Sequence, residues 1–231
     1  MKVVVRELEP NIVPALASEI VVERRAVQNP EARYNIETSD TAEIWLTIQA
    51  NTPFQLSYQF SHEFGHVLCN HNDRYRLYET HHPASLYHWL EEALCDAVKH
   101  YCLNMMAASG ELSESDPEVH DRMNYYASQS RGDDLPRATA PVGERLSDWF
   151  VANRRQIEAS KAANEWIKPL GVWVGDKLLA NPLLLNDIRK LNTWAVNESS
   201  DLAGHLDRWE QACDSSDGLP HLLREGLLAA S

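Results

Sequence analysis

The spacing of hydrophobic residues changes along this chain from a period near two to a period near 3.6, which separates predicted strands from predicted helices. Residues 2–8 form a short β-branched run, and 33–38 and 43–49 are further strand candidates, the last with Ile or Leu at every second position. The segment 11–26 is amphipathic and predicts a helix with its first residue, an Asn, as the N-cap. The N-terminal part is therefore predicted to combine three strands with one helix.

Two longer helices are predicted next along the chain. Apolar residues at helical spacing make one face of 54–70 and one face of 87–108. Ser, Asp, Gly and Pro concentrate in 109–118 and 128–141, which predicts loops on both sides of a short helix at 118–128.

The helical period returns in the C-terminal part of the chain. It is clearest in 183–196, 202–213 and 219–230. We therefore predict an α+β fold whose organisation has three parts: residues 1–108, a core of short sheet and helices; 109–141, a loop-rich connection with a short helix; and 142–231, a helical C-terminal region.

Composition limits the classes of partner. A length of 231 residues and a hydrophobic content of 44% allow a sizeable core. The formal net charge of -13 argues against a general nucleic-acid or membrane surface, because phosphate contacts need clustered Lys and Arg. The sequence has no transmembrane-length apolar run and no signal-peptide apolar region. The four cysteines make no CxxC pair, so we expect reduced thiols and a cytoplasmic location.

The segment His62-Glu63-Phe64-Gly65-His66 has the ligand spacing of a catalytic zinc site. Positions four apart lie on one face of a helix, so His62 and His66 can bind one metal ion. Glu63 then lies beside the ion, where its carboxylate can take a proton from a bound water. The alternative is a buried helix with two hydrogen-bonded histidines and no metal.

A catalytic zinc normally takes three protein ligands, so a third is expected downstream. In one class of enzymes the motif continues with a Gly and a third His, but Cys69 and Asn72 occupy those positions here. The second predicted helix carries Glu91 and Glu92 beside its apolar face, and both are candidates. Asp96 favours Glu92, because an acid one turn later can accept the free ring N–H of a ligand histidine.

The element Glu92-Ala93-Leu94-Cys95-Asp96, following the His-Glu-x-x-His helix, resembles the Glu-Ala-x-x-Asp element of the thermolysin-like gluzincins. The length and details are most similar to the small bacterial and phage metallopeptidases of the ImmA/IrrE type. The resemblance covers residues 1 to about 108 and implies a minimal zincin-like domain there.

This resemblance also implies an activity and a set of roles. The protein would be a zinc metalloendopeptidase, with His62, His66 and Glu92 as Zn2+ ligands and Glu63 as the general base. Asp96 would accept the ring N–H of a ligand histidine. The substrate would be a peptide or a narrow protein target, such as a transcriptional repressor.

Several interpretations stay open at this point. The chain is alternatively a regulatory or partner-binding protein on the same scaffold, with a structural or degenerate metal site and recognition by 142–231. The strand 43–49 either borders the cleft and pairs with extended substrate or is an ordinary half-buried strand. His88, four residues before Glu92, is a further candidate for the site. The oxyanion of a tetrahedral intermediate also needs a donor, for which the candidates are Tyr75, Tyr78, Tyr87, Tyr125 and Tyr126.

Overall fold

A short mixed sheet precedes the helices in a computed structural model of the chain. The structure describes residues 19–24, 30–34, 41–47, 53–70, 87–131, 146–160, 165–193, 201–213 and 216–228. The predicted α+β class is confirmed at this level, as a three-stranded sheet followed by a mainly helical region. The predicted strand at 2–8 lies outside the described residues.

The sheet consists of β1 (Glu19–Arg24), β2 (Glu31–Tyr34) and β3 (Thr41–Leu46), in the order β1-β3-β2. β1 runs parallel to β3, and β2 runs antiparallel to it. The helix predicted for 11–26 is wrong over β1. Its three consecutive β-branched residues lose little side-chain conformational freedom in an extended strand. Pairing with β3 provides hydrogen-bond partners for the backbone of β1.

The described residues contain nine helices. They are α1 (Pro53–Leu68), α2 (His88–Ala107), α3 (Gly110–Ser115), α4 (Pro117–Arg131), α5 (Leu146–Glu158), α6 (Lys168–Ala180), α7 (Leu185–Ile188), α8 (Leu202–Ala212) and α9 (Leu219–Leu228). None of them is long and apolar enough to cross a membrane.

The helices predicted for 54–70 and 87–108 are confirmed as α1 and α2. The connection after α2 differs from the prediction, because α3 and α4 make residues 110–131 almost continuously helical. Asp116 separates the two helices and its side chain accepts a hydrogen bond from the backbone N–H of Val119, which begins α4 in spite of the polar composition. The helix predicted at 183–196 is not continuous over its described part, up to residue 193, which contains a 3-10 turn at Pro182–Leu184, the single turn of α7 and the turns that follow. Residues 194–196 lie outside the described residues.

Helix α2 lies at the centre of the described fold, since α1, α4 and α6 all pack against it. Sixteen of its 20 residues are buried, including Glu91, Glu92, Asp96, Lys99 and His100. Buried side chains from both sides of the 109–141 connection join one hydrophobic cluster. The C-terminal helices therefore help to enclose α2.

Gly65 sets the distance between α1 and α2. A Cβ atom at this position would lie 2.6 Å from the Cα of Cys95, closer than real Cβ contacts come. The two helices can approach this closely only because residue 65 has no side chain. The contact fixes the separation between the histidines of α1 and the acids of α2.

Replacing Gly65 with Ala is expected to destabilise the fold by about 1–3 kcal/mol, because the added methyl must push two packed backbones apart. Urea unfolding of the metal-free protein measures the effect. Gly110→Ala is the matched control, since a Cβ at that position meets nothing within 4 Å. It should leave stability unchanged or raise it by up to about 1 kcal/mol. Equal stabilities for the two variants would contradict the proposed close packing.

Candidate metal centre

His62 and His66 lie one turn apart on the face of α1 that packs against α2. Together with Glu92 of α2 they form a group whose potential ligand atoms all lie within 4.8 Å of one another. The Nε2 atom of His62 is 3.5 Å from Oε2 of Glu92, and Nε2 of His66 is 3.6 Å from Oε1. Two imidazole nitrogens and a carboxylate therefore converge on one point, and His66 and Glu92 are buried.

Glu91 has a different place from Glu92. Its Oε1 atom accepts a hydrogen bond of 2.9 Å from Nδ1 of His66, on the side of the ring that faces away from Glu92. Between the two candidates for the third ligand, the structure brings Glu92 into the converging group. Glu91 instead fixes the ring orientation of His66, and this role was not predicted from the sequence.

Asp96 holds the other histidine in the same way. The Nδ1 atom of His62 lies 3.2 Å from Oδ1 of Asp96, where the sequence predicted an acid accepting a ring N–H. The same carboxylate oxygen accepts a hydrogen bond from the buried Lys99 ammonium, which also donates to the hydroxyl of Tyr58 at 3.3 Å. Both histidines thus direct Nε2 towards the common point because an acid on α2 binds each Nδ1.

The contact between Lys99 and Asp96 was also not predicted from the sequence, although an acid and a base three residues apart on a helix are a recognisable pair. Burial alone would raise the pKa of Asp96, but the charge of Lys99 and a hydrogen bond from His62 hold that pKa well below its usual range. Burial lowers the pKa of Lys99, but Asp96 outweighs this and raises it. The pair therefore stays ionised in the interior.

The metal-free histidines hold protons strongly. Burial lowers the pKa of His62, but hydrogen bonds to Asp96 and Glu92 outweigh it and raise the pKa to about 9. Burial likewise opposes protonation of His66, and Glu91 and Glu92 raise its pKa above the ordinary value. For Glu92, burial raises the pKa, but the two histidines lower it below the usual range. The interactions within the converging group therefore favour an ionised Glu92 and protonated histidine rings.

Glu63 lies on α1 directly after His62 and is only 6% exposed. The backbone of Ala32 in β2 donates a hydrogen bond to its carboxylate. Burial is the largest effect on Glu63 and raises its pKa, although the neighbouring histidines act in the opposite direction. The sheet therefore contacts the candidate base through β2.

This placement corrects the expectation for the strand at 43–49. Over its observed extent, β3 is the central strand, with β1 paired to one edge and β2 to the other. It cannot add an extended peptide, because its backbone groups already form the two ladders. Among the described strands, β2 is the edge strand that packs against α1.

The remaining candidates are placed less centrally. The Nε2 atom of His88 lies 3.3 Å from Oε1 of Glu92, so His88 does enter the neighbourhood of the site. Tyr87 contacts His205 at a tilted angle, with ring centroids 4.4 Å apart, and Tyr126 packs against Tyr58. Tyr125 is 58% exposed. The other two candidate oxyanion donors, Tyr75 and Tyr78, lie outside the described residues.

The donor set fits a transition-metal ion. Imidazole nitrogens and a carboxylate suit zinc and related divalent ions, and histidine ligands usually donate their other ring N–H to a carboxylate or carbonyl. Both histidines meet that second condition here, through Asp96 and Glu91. The residues present can therefore hold such an ion, although they do not specify which metal it is.

Cys69, Cys95, Cys102 and Cys213 form no disulfide bonds in the structure. Cys69 and Cys95 hydrogen-bond to each other, and burial raises the pKa of Cys95 well above its ordinary value. These two thiols belong to the packing between the helices and are not members of the converging ligand group.

Comparison of the chain with protein-family models, with curated proteins and with solved structures gives no significant match. The case for a metal site therefore depends on the residues and their geometry.

The raised histidine pKa values predict that metal binding depends on pH. Since both rings must lose a proton to bind, apparent zinc affinity should rise at least about tenfold per pH unit between pH 6.5 and 9. Titration calorimetry at pH 7 in buffers of different ionisation enthalpy should show about one to two protons released per zinc.

In the metal-free protein, the stabilisation from protonated His62 should be complete below pH 6.5 and lost as the pH rises through about 9. Affinity independent of pH would contradict the assignment.

The two adjacent acids should respond differently to substitution. Glu92→Ala removes one of three ligands and should abolish stoichiometric zinc in the purified, untagged protein. Glu91→Ala should retain zinc with an affinity about 10–100-fold weaker, because only the orientation of His66 is lost. Elemental analysis and chelator competition measure both effects, with the exposed Glu118→Ala as the control. If zinc is lost in Glu91→Ala but kept in Glu92→Ala, Glu91 is the metal ligand and Glu92 is not.

Proposed function

We propose that the protein is a zinc-dependent metallopeptidase that hydrolyses peptide bonds with an activated water. The observation that carries the proposal is Glu63, a buried carboxylate that follows His62 in the chain and interacts electrostatically with His62, His66 and Glu92. A metal site that served only to stabilise the fold would not need an additional acid at this position.

The roles follow from the surroundings of each residue. His62, His66 and Glu92 would hold a zinc ion, which would supply an activated water with a pKa of about 7 and a positive charge that polarises a carbonyl. Glu63 takes a proton from the attacking water and passes it to the leaving nitrogen of the cleaved peptide. Burial favours this transfer, because it raises the pKa of Glu63 and so helps the carboxyl group hold the proton between the two steps. The backbone N–H of Ala32 orients the carboxylate.

We propose β2 as the edge that aligns the substrate. Its one observed ladder is with β3, and within the described residues no strand pairs with its other edge. An extended peptide added there would form main-chain hydrogen bonds beside Ala32, and therefore next to Glu63. The proposal predicts recognition of extended, unfolded segments in preference to folded surfaces.

The similarity to the gluzincins, and to the ImmA/IrrE type in particular, is part of this proposal. It is supported by the motif on α1 and by an acid on α2 at the place where that class has its third ligand. We further propose a cytoplasmic enzyme with a narrow protein substrate, for which a transcriptional repressor is the leading candidate. Four cysteines without a disulfide bond are consistent with that location.

Glu63→Gln keeps the size of the side chain and removes the base. Zinc content should stay at the wild-type level, while cleavage should fall by about 10²–10⁴-fold. The measurement is the appearance of new peptide N-termini, detected by mass spectrometry, after zinc-loaded protein is incubated with an unfolded protein extract. Glu118→Gln, an exposed change on α4, is the control and should cleave normally.

Two results would argue against the enzyme. Equal cleavage by wild type and Glu63→Gln would remove Glu63 from the mechanism. Zinc-loaded wild type that cleaves nothing, but captures the same protein as Glu63→Gln does, would favour the alternative of a partner-binding protein on this scaffold.

A further inference from the structure

Two asparagines link the end of the metal-bearing helix to the C-terminal region. Asn70 follows α1 and Asn192 follows α7, and among the described residues they are the two non-glycine positions with positive φ, at 55° and 63°. Asparagine tolerates this left-handed conformation better than most residues, which suits it to the ends of helices. Both side chains are buried.

Each asparagine binds backbone carbonyls of the other segment. Nδ2 of Asn70 donates to the carbonyls of Arg189 and Leu191, at 2.6 and 2.7 Å. Nδ2 of Asn192 donates to the carbonyl of Cys69 at 2.8 Å. The last carbonyls of a helix have no hydrogen-bond partner within the helix. The two asparagine side chains supply such partners at the ends of both α1 and α7. We call these two residues the asparagine pair.

Asn192 makes one side-chain contact that has no counterpart at Asn70. The amide of Asn192 also lies 3.3 Å from Oε2 of Glu91, whose other oxygen accepts the hydrogen bond from Nδ1 of His66. The contacts of Asn70 lead only to backbone carbonyls. Asn192 thus contacts Glu91, the acid that orients His66, although the two residues are more than 100 positions apart in the chain.

We propose that Asn192 is a positioning residue of the metal centre, acting on His66 through Glu91. Glu91 is 1% exposed, and a buried carboxylate keeps one orientation only while both oxygens have fixed donors. Asn192 supplies a donor to the oxygen that His66 does not use. This fixes the carboxylate plane and therefore the direction in which Nε2 of His66 points.

The inference makes the C-terminal region part of the metal centre. The region contributes no ligand to the converging group, yet it determines the orientation of one ligand. The inference rests on the metal site of the proposed function and does not require that the protein cleave peptides. Its test accordingly uses metal affinity and stability, without a substrate.

The asparagine pair provides a matched comparison, Asn192→Gly against Asn70→Gly. Glycine accepts positive φ, so each change removes one buried amide that bridges the same two segments without straining the backbone. Both variants should unfold at lower urea concentration by similar amounts in the metal-free state. Zinc affinity, measured by chelator competition at fixed pH, should fall about tenfold or more in Asn192→Gly and by less than about twofold in Asn70→Gly.

The coupling to Glu91 is tested by a double-mutant cycle. In a Glu91→Ala background, Asn192→Gly should have no further effect on zinc affinity, because the carboxylate through which it acts is gone. Asn192→Asp is a second variant that keeps the left-handed preference but loses the amide donor, and it too should weaken zinc binding. Equal losses of affinity in Asn192→Gly and Asn70→Gly, or full additivity in the cycle, would reduce Asn192 to a structural cap and overturn the proposal. If the positioning result holds while Glu63→Gln leaves cleavage unchanged, the mechanism fails and this inference stands.

Discussion

The structure depends on the burial of α2, a helix that carries five acidic or basic side chains into the interior. An isolated buried charge is too costly to survive, so each of these groups must be paired or hydrogen-bonded. Glu91, Glu92 and Asp96 contact the two histidines of α1, and Lys99 contacts Asp96 and Tyr58. His100 meets Asp176 of α6. The positions of the surrounding helices are constrained by this need for partners as much as by apolar packing.

The parts of the site that could be predicted from sequence are those set by spacing within one helix. His62 and His66 share a face because they are four residues apart, and Asp96 lies one turn after Glu92 for the same reason. The extents of α1 and α2 followed from apolar periodicity. Local geometry determines these relationships whatever the rest of the chain does.

The remaining features of the fold and the site depend on contacts between segments that are distant in sequence. Hydrophobic periodicity carries no information about such contacts. Helical phase places Glu91 and Glu92 beside the same apolar face, and only the packing of α2 on α1 assigns them to different sides of His66. The run at β1 is amphipathic enough to suggest a helix, but its partner strand decides otherwise. Asn192 lies in a turn with no motif, and its relation to Glu91 appears only when the turn after α7 meets the end of α1.

The charge state of the converging group has a consequence for how the protein is assembled. The neighbouring carboxylates raise the pKa of His62 to about 9 and also raise the pKa of His66, so protons on these rings can offset part of the buried negative charge when no metal ion is bound. Small zinc domains unfold without their metal because nothing else supports their ligands. Here hydrogen bonds to Asp96 and Glu91 already hold the two histidines, so the orientation of these proposed ligands does not depend on a metal ion. A metal ion at the proposed site would therefore replace protons in a framework that is already folded, and its occupancy would follow metal supply and pH without refolding.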